Sequence, residues 1–71
     1  MCYRVNDVIQ YTTFTGGVRY VRITAWEDDV KNGRPGFDGI VVNGPEQGVT
    51  VWGYADQIDR LYLRPIQGGA R

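Results

Sequence analysis

The chain has 71 residues, 42% apolar and 13% aromatic, with eight basic and eight acidic side chains and no histidine. It is too apolar for a disordered segment and too short for a second core, so residues 1–71 read as one domain, with a core over 3–65 and a flexible tail over 66–71. A net charge of zero removes bulk attraction to nucleic acid or anionic lipid, and the absence of histidine removes the commonest general base and metal ligand.

Short β-rich runs separated by turn residues recur along the chain, and helical periodicity is nearly absent. The first run is VIQYTTF, residues 8–14, entered through Asn6-Asp7. Gly16-Gly17 then offers the positive φ of a tight hairpin turn. VRYVRITAW, residues 18–26, is the longest run. Strict alternation places Arg19, Val21, Ile23 and Ala25 on one face and Tyr20, Arg22, Thr24 and Trp26 on the other. The aliphatics mark the first face as the inner one.

EDDVKNGRPG, residues 27–36, reads as a mobile loop, because charges and the turn pairs Asn32-Gly33 and Pro35-Gly36 leave it few apolar anchors. FDGIVVN, residues 37–43, is the third strand, and its run Ile40-Val41-Val42 does not disclose an inward face. After GPEQG comes VTVWGY, residues 49–54, the fourth strand, with Trp52 and Tyr54 on one side and Val49, Val51 and Gly53 on the other. Ala55-Asp56-Gln57-Ile58 suits a 3₁₀ turn capped by Asp56. RLYLRP, residues 60–65, is the last strand, ended by Pro65. Val5, Ile9, Val21, Ile23, Leu61 and Leu63 are the expected core.

Five short strands leave two edges, and curling into a barrel is the economical way to hide them. The order resembles the SH3-like small β-barrel, whose last two strands are joined by a 3₁₀ turn where ADQI stands. The N-terminal half is similar to the Tudor-like branch. YRVNDVIQY (residues 3–11), Gly16-Gly17 and YVRITAW (residues 20–26) take the parts of its entry, turn and second strand, with Asn6 where glycine is usual. The resemblance implies an all-β, five-stranded barrel, and an aromatic cage near the strand ends that holds a methylated cation through ring faces. The short neutral chain with its WGY and Gly-rich turns also looks like small proteins of actinobacterial phages.

Catalytic and metal patterns fail on spacing. A calcium loop counted from Asp28 puts Val30 at a ligand position and Gly39 where a bidentate Glu belongs. Gly33, Gly36 and Gly39 do not form a dinucleotide fingerprint, and no helix follows them. Asp56 and Asp59 have no nucleophilic partner, and neither a Ser-His nor a Cys-His pair exists. Cys2, the single cysteine, rules out an internal disulfide and reads as a terminal residue. The expectation is a chain with no catalytic residue, metal or cofactor. No leader-like apolar run or membrane-length window occurs, so a cytoplasmic protein without a membrane partner is expected.

Binding features remain. Tyr20, Arg22 and Trp26 interleave a cation with aromatics on the outer face of the second strand, the composition of a protein hot spot. Phe14, Trp26 and Phe37 flank loops. Arg19, Arg22, Arg60 and Arg64 lie on strands, whereas Glu27, Asp28, Asp29 and Asp38 gather in and beside one loop; if the second and fifth strands lie on the same side, the neutral chain becomes a dipole with a basic face and an acidic pole. The expected function is a binding module, phage-encoded and directed at a host or virion protein. Nucleic-acid binding through the Arg and aromatic face, or self-association into a homo-oligomer through a strand edge, are the alternatives.

Overall fold

A computed structural model describes residues 3–65. Five antiparallel strands, β1 (Val8–Thr12), β2 (Val18–Lys31), β3 (Arg34–Val41), β4 (Thr50–Tyr54) and β5 (Ile58–Leu63), form one open sheet in the order β4-β3-β2-β1-β5. A 3₁₀ turn, Ala55–Gln57, leads into β5. The chain is therefore all-β, with the 3₁₀ turn at the predicted place. The expected closure is not met by a ladder, because β4 and β5 are the two ends of the sheet. The expected tail over 66–71 and Cys2 lie outside the described residues.

The core joins Ile9, Tyr11, Val21, Ile23, Phe37 and Val41, with Tyr3, Trp26, Val51 and Ile58 packed against it. Alternation explains most of it: Ile9 faces Val21 across β1 and β2, and Val21 faces Val41 across β2 and β3. Val41 is thus the inward residue of its apolar run. Tyr11 meets Phe37 edge to face, with ring centroids 5.3 Å apart. Val5, Leu61 and Leu63 are exposed, contrary to expectation. Leu61 and Leu63 belong to an edge strand with a neighbour on one side only, and Val5 sits in the entry turn rather than in β1.

Residues 27–36 form strand, not a loop. Lys31 pairs with Arg34 across the two-residue turn Asn32-Gly33, whose φ values of 58° and 74° are the left-handed pair that a tight hairpin needs. A ladder needs backbone groups rather than apolar side chains, so the charged EDDVK stretch extends β2 to Lys31. Pro35 is accommodated because the β2–β3 register is irregular between Glu27 and Lys31.

A second irregularity decides which side chains face inward. Ile23 pairs with Gly39 but Ala25 pairs with Asp38, which leaves Thr24 as an extra residue on β2. Gly39 makes room for this bend, since a Cβ there would lie 2.7 Å from the Arg22 carbonyl oxygen. Beyond the bulge Trp26 stands opposite the fully buried Phe37 and stacks on Tyr3 with centroids 6.5 Å apart. Trp26 therefore packs against the core, on the other side of β2 from Tyr20 and Arg22.

The ends of the chain are tied by Asp7. Its carboxylate takes Arg64 Nε at 3.0 Å and Nη2 at 2.8 Å, and the Arg4 backbone N–H at 2.9 Å. The preceding Asn6 has φ 78°, the left-handed conformation for which glycine is the usual choice. Among the described residues no helix is long and apolar enough to cross a membrane.

Candidate binding surfaces

The five residues singled out from the sequence are distributed over three places. Tyr20 and Arg22 lie together on the outer face of β2. Trp26 and Phe37 belong to the core side, Phe37 being completely buried. Phe14 lies beyond the end of β1, in the β1–β2 turn, and is 71% exposed.

Phe14 does not stand alone there. Its ring centroid is 6.0 Å from that of Trp52 and 5.9 Å from that of Tyr54, and the latter two are 5.3 Å apart and perpendicular. Tyr54 is buried beneath this cluster, and Asn32 Nδ2 donates to its hydroxyl at 3.0 Å. Two cations of the β2–β3 hairpin complete the surface. Lys31 Nζ lies 5.6 Å from the Trp52 ring centroid, and the Arg34 guanidinium lies 4.1 Å from that of Tyr54. Arg34 is also paired with Asp56, which thereby serves as a partner and not as the predicted cap. Gln57 instead accepts the Tyr54 N–H at 2.8 Å.

Sequence reasoning passed over Lys31 and Arg34 because they fell in a presumed loop. The signal for Trp52 was present: it alternates against Val51, which packs on the core, so its ring must face outward.

This cluster borders the free edge of β4. Between that edge and the β1–β2 hairpin runs a hollow of about 450 Å³, lined by Val49, Val51, Trp52, Phe14, Tyr11 and Thr13. Gln57 bridges one side of the gap, donating from Nε2 to the Thr12 carbonyl at 3.0 Å. Arg19 and Glu46, in contact with each other, also line the hollow, and a second hollow of about 320 Å³ shares the same pair. The bound guanidinium holds the Glu46 carboxyl below its ordinary pKa of 4.5.

A second surface occupies the outer face of β5, β1 and β2. Tyr20 and Tyr62 lie with ring centroids 4.8 Å apart, and Arg60 Nε donates to Gln10 Oε1 at 2.6 Å. Arg22 Nη1 is 3.5 Å from Asn6 Oδ1. Farther along β2 the charge reverses. Glu27 shares a hydrogen bond with Asp38, which pushes the Glu27 carboxyl above its ordinary 4.5. Glu27, Asp28 and Asp29 share the β2–β3 hairpin with the cations Lys31 and Arg34. Among the described residues no group of three or more His, Cys, Asp or Glu side chains is placed to hold a metal ion.

Comparison with protein-family models, curated proteins and solved structures finds no match.

Proposed function

We propose that the chain is a small SH3-like β-barrel that acts by binding another protein and carries no chemistry of its own. The strand order, with β5 beside β1 and a 3₁₀ turn ahead of β5, supports the barrel reading, and the Gln57 bridge supplies a partial closure. The observation that carries the binding reading is the free, uncharged edge of β4, flanked by exposed Phe14, Val49 and Trp52. Large rigid aromatics beside unpaired backbone are the usual anchors of protein contacts. A phage-encoded factor directed at a host or virion protein suits this size and neutrality.

The Tyr20, Tyr62, Arg22 and Arg60 face favours a second reading, stacking on single-stranded nucleic acid. The immobilised chain, incubated with lysate of its host cells, separates the two. Protein retained across a rise in salt, and lost with Trp52→Ala, supports the first. Nucleic acid retained only at low salt, and lost with Arg22→Ala plus Arg60→Ala, supports the second and overturns the first.

A further inference from the structure

We propose that the free edge of β4 joins two copies of this chain, antiparallel, about a twofold axis at Val51. This inference rests on the protein-binding reading and names the partner.

The backbone of β4 sets the register. The Val49 carbonyl accepts from the Val41 N–H at 3.0 Å, and the Tyr54 N–H turns away to Gln57. Since these groups alternate sides along a strand, Val49, Val51 and Gly53 serve β3, while Thr50 and Trp52 point their N–H and C=O to the open edge. Antiparallel pairing centred on Val51 sets Thr50 of each copy opposite Trp52 of the other. Both pairs then exchange N–H and C=O, and the two Val51 residues meet as a close pair with Cα atoms about 4.5 Å apart. Thr50, Trp52 and their counterparts fall on one face, so each indole covers a threonine.

The two sheet edges differ in how they are defended. β5 carries Asp59 and Arg60 and is followed by Arg64 and Pro65, which discourage strand pairing. Residues 49–54, VTVWGY, carry no charge and no proline. An undefended edge on a protein of zero net charge is self-adhesive unless it is covered.

Charge also selects the antiparallel arrangement. Lys31 lies over Trp52 and has no carboxylate partner among the described residues. Glu46 precedes the other end of β4, and its side chain remains 48% exposed although Arg19 contacts it. Antiparallel pairing brings Lys31 of each copy toward Glu46 of the other, whereas parallel pairing would bring lysine toward lysine. The hollow beside the edge gives an incoming strand room, and its exposed walls, Phe14, Val49 and Trp52, become covered.

The test is the mass of the full chain in solution, by light scattering or sedimentation over a range of concentrations, beside melting curves. Wild type at high concentration should have about twice the 8.0 kDa chain mass and dissociate on dilution. Thr50→Pro removes an outward N–H and leaves the β3 ladder untouched, so it should stay at the single-chain mass while melting as a folded protein. Leu63→Lys, on β5, should leave the dimer intact. Amide exchange in wild type reads the same edge without substitution: Thr50 and Trp52 N–H should be protected at high concentration and released on dilution.

A single-chain mass at every concentration overturns the inference, as does a dimer that survives Thr50→Pro or vanishes with Leu63→Lys. If wild type is monomeric but Thr50→Pro abolishes capture of a lysate protein, the twofold dimer falls and binding of a different protein at this edge stands. If the dimer forms and lysate protein is never retained, binding of a different protein falls and the dimer stands.

Discussion

Gln57 holds Thr12 across the gap in the sheet, its Nε2 donating to the Thr12 carbonyl at 3.0 Å while its Oε1 accepts the Tyr54 N–H. One side-chain amide thereby stands between a backbone donor of β4 and a backbone acceptor of β1 that a ladder bond would have joined directly. Gln57→Leu keeps the volume and removes both bonds, leaving a donor and an acceptor partly buried without partners. The expected loss is about 1–3 kcal/mol in denaturant unfolding, with faster amide exchange at Tyr54. An unchanged midpoint would mean that water replaces the amide at no net cost.

Asp7 predicts acid sensitivity. The Arg64 hydrogen bonds hold its carboxyl below the ordinary 3.8 against the opposing effect of burial, and the Arg4 N–H adds to the lowering. A carboxyl with a depressed folded pKa stabilises the fold above its unfolded value and loses that contribution as pH falls through the folded one. Stability should therefore fall as the medium is acidified below 3.8. Asp7→Asn should lower the melting midpoint at neutral pH and flatten this acid limb. A mutant with the wild-type acid limb would show that other carboxyls carry it.

Glu27 predicts the opposite sign. Its carboxyl is raised by Asp38, so ionising it opposes folding, and stability is lost as pH rises past the unfolded and then the folded pKa. Glu27→Gln should raise the melting midpoint at neutral pH, and the gain should vanish once Glu27 is protonated in the wild type. A neutral-pH midpoint lower than wild type would show that the charge serves folding after all.

The two tryptophans should part company. Trp26 packs on Tyr3 and the core, so Trp26→Ala should lower the unfolding free energy. Trp52 lies on the outer face, and Trp52→Ala should leave the fold standing while weakening partner capture by more than about 1 kcal/mol. Equal melting curves for the two variants would contradict this division.

Ile23 is fully buried next to the bulge, and Ile23→Ala should cost about 2–5 kcal/mol in denaturant unfolding. So small a domain has little more than that to lose. A cost near zero would mean that the bend closes over the missing side chain.

Periodicity made part of this legible. Ile9, Val21 and Ile23 were readable as core because alternation held over β1 and the first half of β2. The order of strands and the 3₁₀ turn followed from turn residues. Trp26 was misplaced because an inserted residue leaves no mark in a pattern of apolar and polar letters. The β2–β3 hairpin was missed because its strands are charged and its signal, Asn32-Gly33, was counted as loop chemistry. The Phe14, Trp52 and Tyr54 cluster joins residues far apart in sequence through curvature of the sheet, which no local window contains.

Thr24 sets the reading frame of β2. Everything from Ala25 onward is one step out of phase with what precedes it, so an exposed threonine governs the facing of residues that it does not touch. Deleting it would remove the bulge and leave the facing intact: Ala25 would follow Ile23 outward against Asp38, and Trp26 would still fall inward opposite Phe37. What would invert the half-strand is straightening at full length, with Thr24 drawn into the ladder, because Ala25 would then stand opposite Phe37 and Trp26 would turn outward. Deletion should therefore be tolerated at this one position better than at its neighbours in β2.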